Sequence, residues 1–371
     1  AAFVLIYKSM AKGEAHVELM SSGGSKMPII LMLAAALLVR LVVSFAVKGY
    51  KFDITCFTAW ASHAAEVGMP KFYETIGFCD YPPGYMYVLW LIGKIGRLFN
   101  ISSGSAAFAA LVKLPSIIAD LILTYVVYKM CAKRMSKRVT WTLTSLAAFS
   151  PLFVFMSSGW GQIDQLLAMC MFAAMYLFIE DKKILAGLVY GAAILIKPQA
   201  LLIGPLFAVA YLMYIIDSFG DKGRSPAVAI GKTLAAVVSA VALIFVASLP
   251  FKGNQGLFWF LSKYFGTATS YNYASVEAFN LFALLGGNWV SADTELLFMP
   301  YSTWGTIFIV ISVVYGAVLY ICGRKSGEYV AVDESAARRG GRSLILSAAF
   351  VIAAIFTLGH FMHERYIFPA V

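Results

Sequence analysis

Residues 232–249, KTLAAVVSAVALIFVASL, carry no charge after the first lysine and contain neither glycine nor proline. A helix needs about 20 mostly apolar residues to cross the hydrocarbon core of a bilayer, and soluble helices rarely carry such runs. Comparable runs recur at Ile29 to Val47, Val139 to Met156, Trp304 to Cys322 and Leu344 to Leu358. They lack the strict alternation of a barrel strand, so helices are the form that satisfies their backbone in lipid. Composition agrees, with 61% hydrophobic and 13% charged residues and a mean hydropathy of +0.80. The fold class is therefore an all-α polytopic membrane protein. The net charge of +10 is not a nucleic-acid footprint here; what matters is the side of the bilayer on which it gathers.

Four basic loops set the orientation: Lys133 to Arg138 (KRMSKR), Asp181 to Lys183, Asp217 to Lys232, and Arg324 to Arg342. By the positive-inside rule all four face the cytoplasm. Residues 1–27 form a cytoplasmic arm, and 28–371 form the transmembrane domain. About nine spans result, at 28–47, 106–130, 139–157, 165–180, 184–196, 199–216, 231–249, 304–322 and 344–360. Two long outer segments lie between them, about 49–105 and 250–302. Residues 83–99 (PGYMYVLWLIGKIGRLF) are nearly apolar enough to span, but Lys94 and Arg97 interrupt them. A helix lying along the outer interface keeps the charge rule intact. The chain starts without a methionine and stops just after a polar cluster, so it is expected to be truncated at its C-terminus.

Polar residues at membrane depth are costly and are functional candidates by default. Under this topology they converge on the outer face: Asp53 in YKFDITCFTAW, Asp80 and Tyr81 in CDYPPGY, and Gln162 and Asp164 in SSGWGQIDQ. Lys197 and Gln199 follow in IKPQ, Asn280 in SVEAFNLF, and His363, Glu364 and Arg365 in MHERY. Each has a plainer reading. Asp53 could cap a helix, DYPP could be a turn, Trp160 could anchor the interface, and Lys197 could snorkel to headgroups. HERY could be a loop ion pair. Asp120, inside the 106–130 span, reads as a helix-pairing residue and not as a catalyst.

A carboxylate near the interface suits general-base removal of a proton from an attacking hydroxyl. A buried lysine and an arginine suit a phosphate, one as a point charge and the other as a fork. Together they point to group transfer from a lipid-borne phosphate, whose leaving charge needs stabilisation. No Walker loop, dinucleotide fingerprint or serine-hydrolase set is present. Asp53, Asp80, His363 and Glu364 could ligate a divalent ion in principle, but no spacing compels it. The five cysteines show no zinc pattern, and Cys56 with Cys79 in one outer segment makes a disulfide conceivable.

The order of an early Asp (Asp53), DYPP (Asp80 to Pro83), a Gly-Gln motif (Gly161, Gln162), Lys197 and a late His-Glu pair (His363, Glu364) resembles the GT-C glycosyltransferases. It is most similar to bacterial GPI-mannosyltransferase-like proteins and to the endoplasmic-reticulum glucosyltransferases that use dolichyl-phosphate glucose. The resemblance covers roughly 30–371 and implies a GT-C-like bundle that moves a hexose, mannose or glucose, from a polyprenyl-phosphate carrier to an acceptor hydroxyl on the non-cytoplasmic face. It implies inversion at the sugar, no metal or other cofactor, and Asp53 as the catalytic base. Lys197, Arg365 and His363 would hold the donor phosphate. Asp80, Tyr81, Gln162, Asp164, Gln199, Asn280 and Glu364 would shape the sugar and acceptor pockets. The acceptor is left open among a glycan, a lipid and a protein, and the other partners are membrane lipids. Short loops and a single outer pole favour a bacterial or archaeal plasma membrane. The rival reading is a transporter or flippase for a lipid-linked or anionic substrate, which would also need charged groups at broken helices such as IKPQ; the absence of an internal repeat counts against it.

Overall fold

The structure, a computed structural model, describes residues 25–133, 135–220, 224–269, 272–326 and 336–371. The expected arm at 1–27 falls almost wholly outside these residues, as do Arg134, Lys222 and much of the basic loop after Arg324. Among the described residues six helices are long and apolar enough to cross a membrane: Met27–Ala46, Ala106–Ala132, Lys137–Trp160, Pro198–Gly220, Pro226–Phe251 and Tyr301–Arg324. The other three expected spans are shorter apolar helices, Asp164–Ile179, Lys183–Ile196 and Ser343–Leu358. The only strands among the described residues are two-residue pairs. Ser275–Val276 runs parallel to Met362–His363, and Glu295–Leu296 runs antiparallel to Met299–Pro300.

Lipid gives helices no hydrophobic reason to associate, so small residues that let backbones approach do much of that work. Gly187 and Gly191, four apart on one helix face, meet the Pro226–Ser248 helix this way. A Cβ on Gly187 would lie 2.5 Å from the Ala236 carbonyl oxygen, and one on Gly191 would lie 2.8 Å from the Ala240 Cα. Gly187→Leu is therefore expected to destabilise the bundle by about 1–3 kcal/mol or more through overpacking. A lowered midpoint of thermal unfolding in detergent would register it.

The central helix is Asp164–Ile179, with Leu167, Ala168, Cys170, Met171, Ala174, Met175 and Phe178 all buried. A helix that is apolar on every side belongs inside the bundle. Its first residue, Asp164, is thereby held at one pole of the molecule. Main-chain and side-chain bonds tie that pole together. Tyr50 N donates to Trp160 O (3.2 Å), Ser116 Oγ to Gln162 O (2.6 Å), and Asn280 Nδ2 to Gly359 O (3.0 Å). The opposite pole carries the ion pairs Lys133–Glu180, Lys232–Asp181 and Arg324–Asp217.

Two buried cations lock the spans. Arg40, which the apolar run of the first span hides, donates through Nε to Asp120 Oδ2 at 2.7 Å, and both side chains are fully buried. Its Nη1 donates to Ala36 O and to Ala148 O (2.7 Å), and Ser157 Oγ donates to Asp120 Oδ2 (3.1 Å). Asp120 thus pairs helices, as its sequence position suggested. Lys113 Nζ donates to Ser44 O (3.2 Å) and Val47 O (2.6 Å), satisfying carbonyls that the end of the first span leaves open.

Residues 83–98 are helical from Pro83, with Pro82 at the N-cap, as the doubled proline dictates. This helix lies against Lys51–Val67 at very close range, since a Cβ on Gly93 would sit 2.0 Å from the Ala61 carbonyl oxygen. Arg97 Nη1 donates to Ala65 O (2.9 Å). The two helices bury Phe57, Trp60, Tyr81 and Tyr85 between them and form an aromatic floor.

Candidate active site

Asp53 is the third residue of the Lys51–Val67 helix; Tyr50 occupies the N-cap and makes no side-chain capping bond. The helix-cap alternative is therefore not what Asp53 does. A carboxylate in the first turn is favoured by the partial positive charge of the helix N-terminus. Oδ2 accepts from Trp160 Nε1 (2.8 Å) and from Gln162 Nε2 (2.6 Å). Both bonds fall on one oxygen.

The donors arrive together because the backbone before them is irregular. Phe155–Trp160 is a π-helical turn that ends at Gly161 with φ 86°, and such turns cluster at functional sites. A Cβ at Gly161 would lie 2.7 Å from Ile54 Cδ1, in a backbone conformation that other residues rarely adopt. Glycine here allows one short segment to deliver Trp160 and Gln162 to the same carboxylate.

A second set of charges lies nearby. Lys197 has extended backbone (φ −155°, ψ 132°) between the Lys183–Ile196 helix and a 3-10 turn at Pro198–Ile203. Pro198 enforces this, because proline disfavours helix in the residue before it. Lys197 Nζ donates to Asp164 Oδ1 at 2.5 Å and lies 5.6 and 5.4 Å from the Tyr81 and Tyr366 ring centres. Arg365 Nη1 donates to Glu364 Oε1 (2.9 Å). Its Nε lies 3.7 Å from Asp164 Oδ2, and neither atom makes a hydrogen bond. Asp164 thus stands between two cations, held tightly by one and loosely by the other.

Asp80 joins this field. Burial raises its carboxyl above the ordinary value, against the lowering pull of Lys197, Arg365 and Lys263. Burial, then Asp80 and then Asp53, push the Cys56 thiol up to about 11, so both carboxylates act on one point. Cys56 and Cys79 are free thiols. No group of three or more His, Cys, Asp or Glu gathers among the described residues.

His363 is buried, and its backbone pairs with Val276. Burial, then Arg365 and Lys197, push its imidazole down to about 3. Its charged form is therefore disfavoured in this setting. An unfolded histidine titrates near 6.5. Because the folded value is lower, the associated stability is present above about 6.5 and is lost as pH falls towards about 3. His363→Gln is expected to flatten the fall in thermal unfolding midpoint across that window.

Asn280 is occupied otherwise. Its Oδ1 accepts from Ala283 N (3.1 Å), and its Nδ2 donates to Phe356 O (3.2 Å) and Gly359 O (3.0 Å). It caps one helical turn and fastens the loop to the last long helix. Gln199, two residues beyond Lys197, has a buried Oε1 without a partner. Trp160 Nε1 and the Tyr366 ring are members of the site that residue type alone did not assign. A tryptophan beside a glycine-glutamine pair was the available signal, since a buried indole N–H needs an acceptor.

No curated protein matches the chain. The family model of Glycosyltransferase family 87 matches residues 78–338, well over half its length. The match takes in Asp80, Gln162, Asp164 and Lys197; Asp53 and His363 to Arg365 lie outside it and reach the same site through the fold. The chain belongs to glycosyltransferase family 87 and is a multi-pass membrane glycosyltransferase.

Proposed function

We propose that this enzyme is a GT-C type hexosyltransferase that takes mannose or glucose from a polyprenyl-phosphate carrier and delivers it to an acceptor hydroxyl on the non-cytoplasmic face. The observation that carries the reading is Asp53, aligned through Oδ2 by Trp160 and Gln162. Asp53 Oδ1 takes the acceptor's proton as its oxygen attacks the anomeric carbon. The bond from that carbon to the phosphate oxygen breaks, its electrons stay on the phosphate, and configuration inverts. Arg365 swings from its loose contact with Asp164 to meet the phosphate, and Lys197 adds a second charge. Stabilising that leaving charge in a site shielded from water is where such cations act most strongly.

Two features support the lipid carrier and the sidedness. A cleft of about 380 Å³ is lined only by apolar residues, among them Leu91, Ile95, Leu114, Ile118 and Leu166. Leu166 and Met169 belong to the helix that Asp164 opens, so the cleft and the charged cluster share one element, and a prenyl chain is the occupant we assign to it. The pole opposite the site carries Lys133, Lys137, Arg138, Lys182, Lys183 and Lys232, which favours the cytoplasmic side for that pole. An outward-facing site in a plasma membrane is the location we propose on this charge distribution.

The donor-phosphate role is tested by Lys197→Met. We expect the KM for polyprenyl-phosphate hexose to rise about 10- to 100-fold, in line with the loss of a charge-assisted hydrogen bond of about 1.5–3 kcal/mol. An unchanged KM in a folded variant would remove Lys197 from the donor site.

A further inference from the structure

The two long outer segments face each other across a second cleft of about 410 Å³, lined in part by Tyr73, Asp80, Gln255, Trp259, Ser262 and Lys263. Its volume lies within the range of small-ligand pockets, about 300–1,000 Å³. Tyr73 and Trp259 stand with ring centres 4.9 Å apart, and Lys263 Nζ lies 5.2 Å from the Tyr73 ring centre and donates to Cys79 O. Tyr73 Oη donates to Tyr81 O (2.8 Å), which links this wall to the aromatic floor beneath Lys197.

Two donors in the cleft wall have no acceptor. Trp259 is only 7% exposed, yet its Nε1 is unpartnered, and so is Gln255 Nε2. A buried N–H without a partner costs about 1–3 kcal/mol, so each is a group that a bound molecule would satisfy. The lining thus combines aromatic faces with indole and amide donors, a carboxylate, a hydroxyl and an ammonium. A free phosphate or sulfate would use the donors but would face the Asp80 carboxylate. A hexose uses all of them, because its hydroxyls donate and accept while its C–H faces lie on aromatic rings.

We propose that this cleft binds a hexose ring of the acceptor, holding it beside the Asp53 site. The word acceptor rests on the proposed transfer reaction; binding of a hexose does not. The location fits, since Asp80 belongs both to this cleft and to the field of Lys197 and Arg365.

The test is saturation-transfer NMR on the full chain in lipid nanodiscs, without donor. The probes are methyl α-D-mannopyranoside and methyl α-D-glucopyranoside, with inorganic phosphate titrated separately and followed by ³¹P line width. We expect saturation transfer to at least one hexoside in the wild type. Trp259→Phe keeps the ring and loses the N–H, and Gln255→Leu changes a half-exposed position. Each should weaken hexoside binding about three- to tenfold, the worth of one hydrogen bond. Unfolding midpoints identify any variant that fails to fold, in which case the other variant decides. Absence of transfer to both hexosides, binding unaffected by both changes, or binding of phosphate alone would overturn the proposal. Because the assay needs no turnover, a hexoside bound by an enzyme inactive with every donor would retain the cleft and refute the transfer reaction, and the converse would do the reverse.

Discussion

Asp53→Asn is expected to lower sugar transfer by about 100- to 10,000-fold while leaving the protein folded, the range over which a positioned general base contributes. Asparagine keeps the size of the side chain, and its amide oxygen can accept from Trp160 Nε1 and Gln162 Nε2 as Oδ2 does now. What is lost is the second oxygen as a proton acceptor, because an amide presents N–H₂ there. The unfolding midpoint should therefore stay close to that of the wild type. Initial rates with saturating donor, beside a thermal melt, separate the two effects. Rates within tenfold of the wild type would mean that the proton goes elsewhere. Asp53→Ala is a poorer test, because it strands the buried Gln162 amide and the half-buried Trp160 indole N–H and confounds catalysis with stability.

Asp120→Ala is expected to destabilise the bundle by about 3–5 kcal/mol, the cost of leaving one member of a buried ion pair alone. Arg40 would keep its bonds to Ala36 O and Ala148 O but would lose the carboxylate that compensates its charge. Its Nη2 already has no partner. The double variant Arg40→Met with Asp120→Leu removes both charges and should recover most of the loss, because replacing a buried pair with apolar side chains is often neutral or stabilising. Thermal unfolding in detergent of wild type, single and double variants makes the comparison. A single variant as stable as the wild type would show that the pair does not hold the first span in place.

The bundle was legible in the sequence because hydropathy is a local property. Six predicted spans stand as long apolar helices at nearly their expected limits, and the break at Lys197 follows from Pro198 beside it. What was not legible depends on distance in sequence. Arg40 is one charge within an apolar run, and only its approach to Asp120, 80 residues on, reveals a buried pair. The same holds for Asp53, whose partners lie 107 and 109 residues away. Asn280 shows the opposite case. A polar residue in an outer loop invites a substrate role, but its side chain caps a helical turn and ties two segments, work that residue type cannot distinguish. His363 was grouped with Lys197 and Arg365 by its place in MHERY, and its burial beside those two cations, which disfavours its charged form, lies beyond what that motif can tell. The cleft around Trp259 escaped notice because its walls come from outer segments about 180 residues apart, with no motif in either.

The most direct test of a lipid-phosphate hexosyltransferase is transfer of label in proteoliposomes from polyprenyl-phosphate [³H]mannose or [³H]glucose to added glycan, lipid and peptide acceptors, with and without EDTA. The account predicts that one donor loses its sugar to an acceptor, that transfer survives EDTA, and that it disappears in Asp53→Asn. Labelled donor that crosses the bilayer with its sugar still attached would contradict it and make the chain a carrier of lipid-linked sugar.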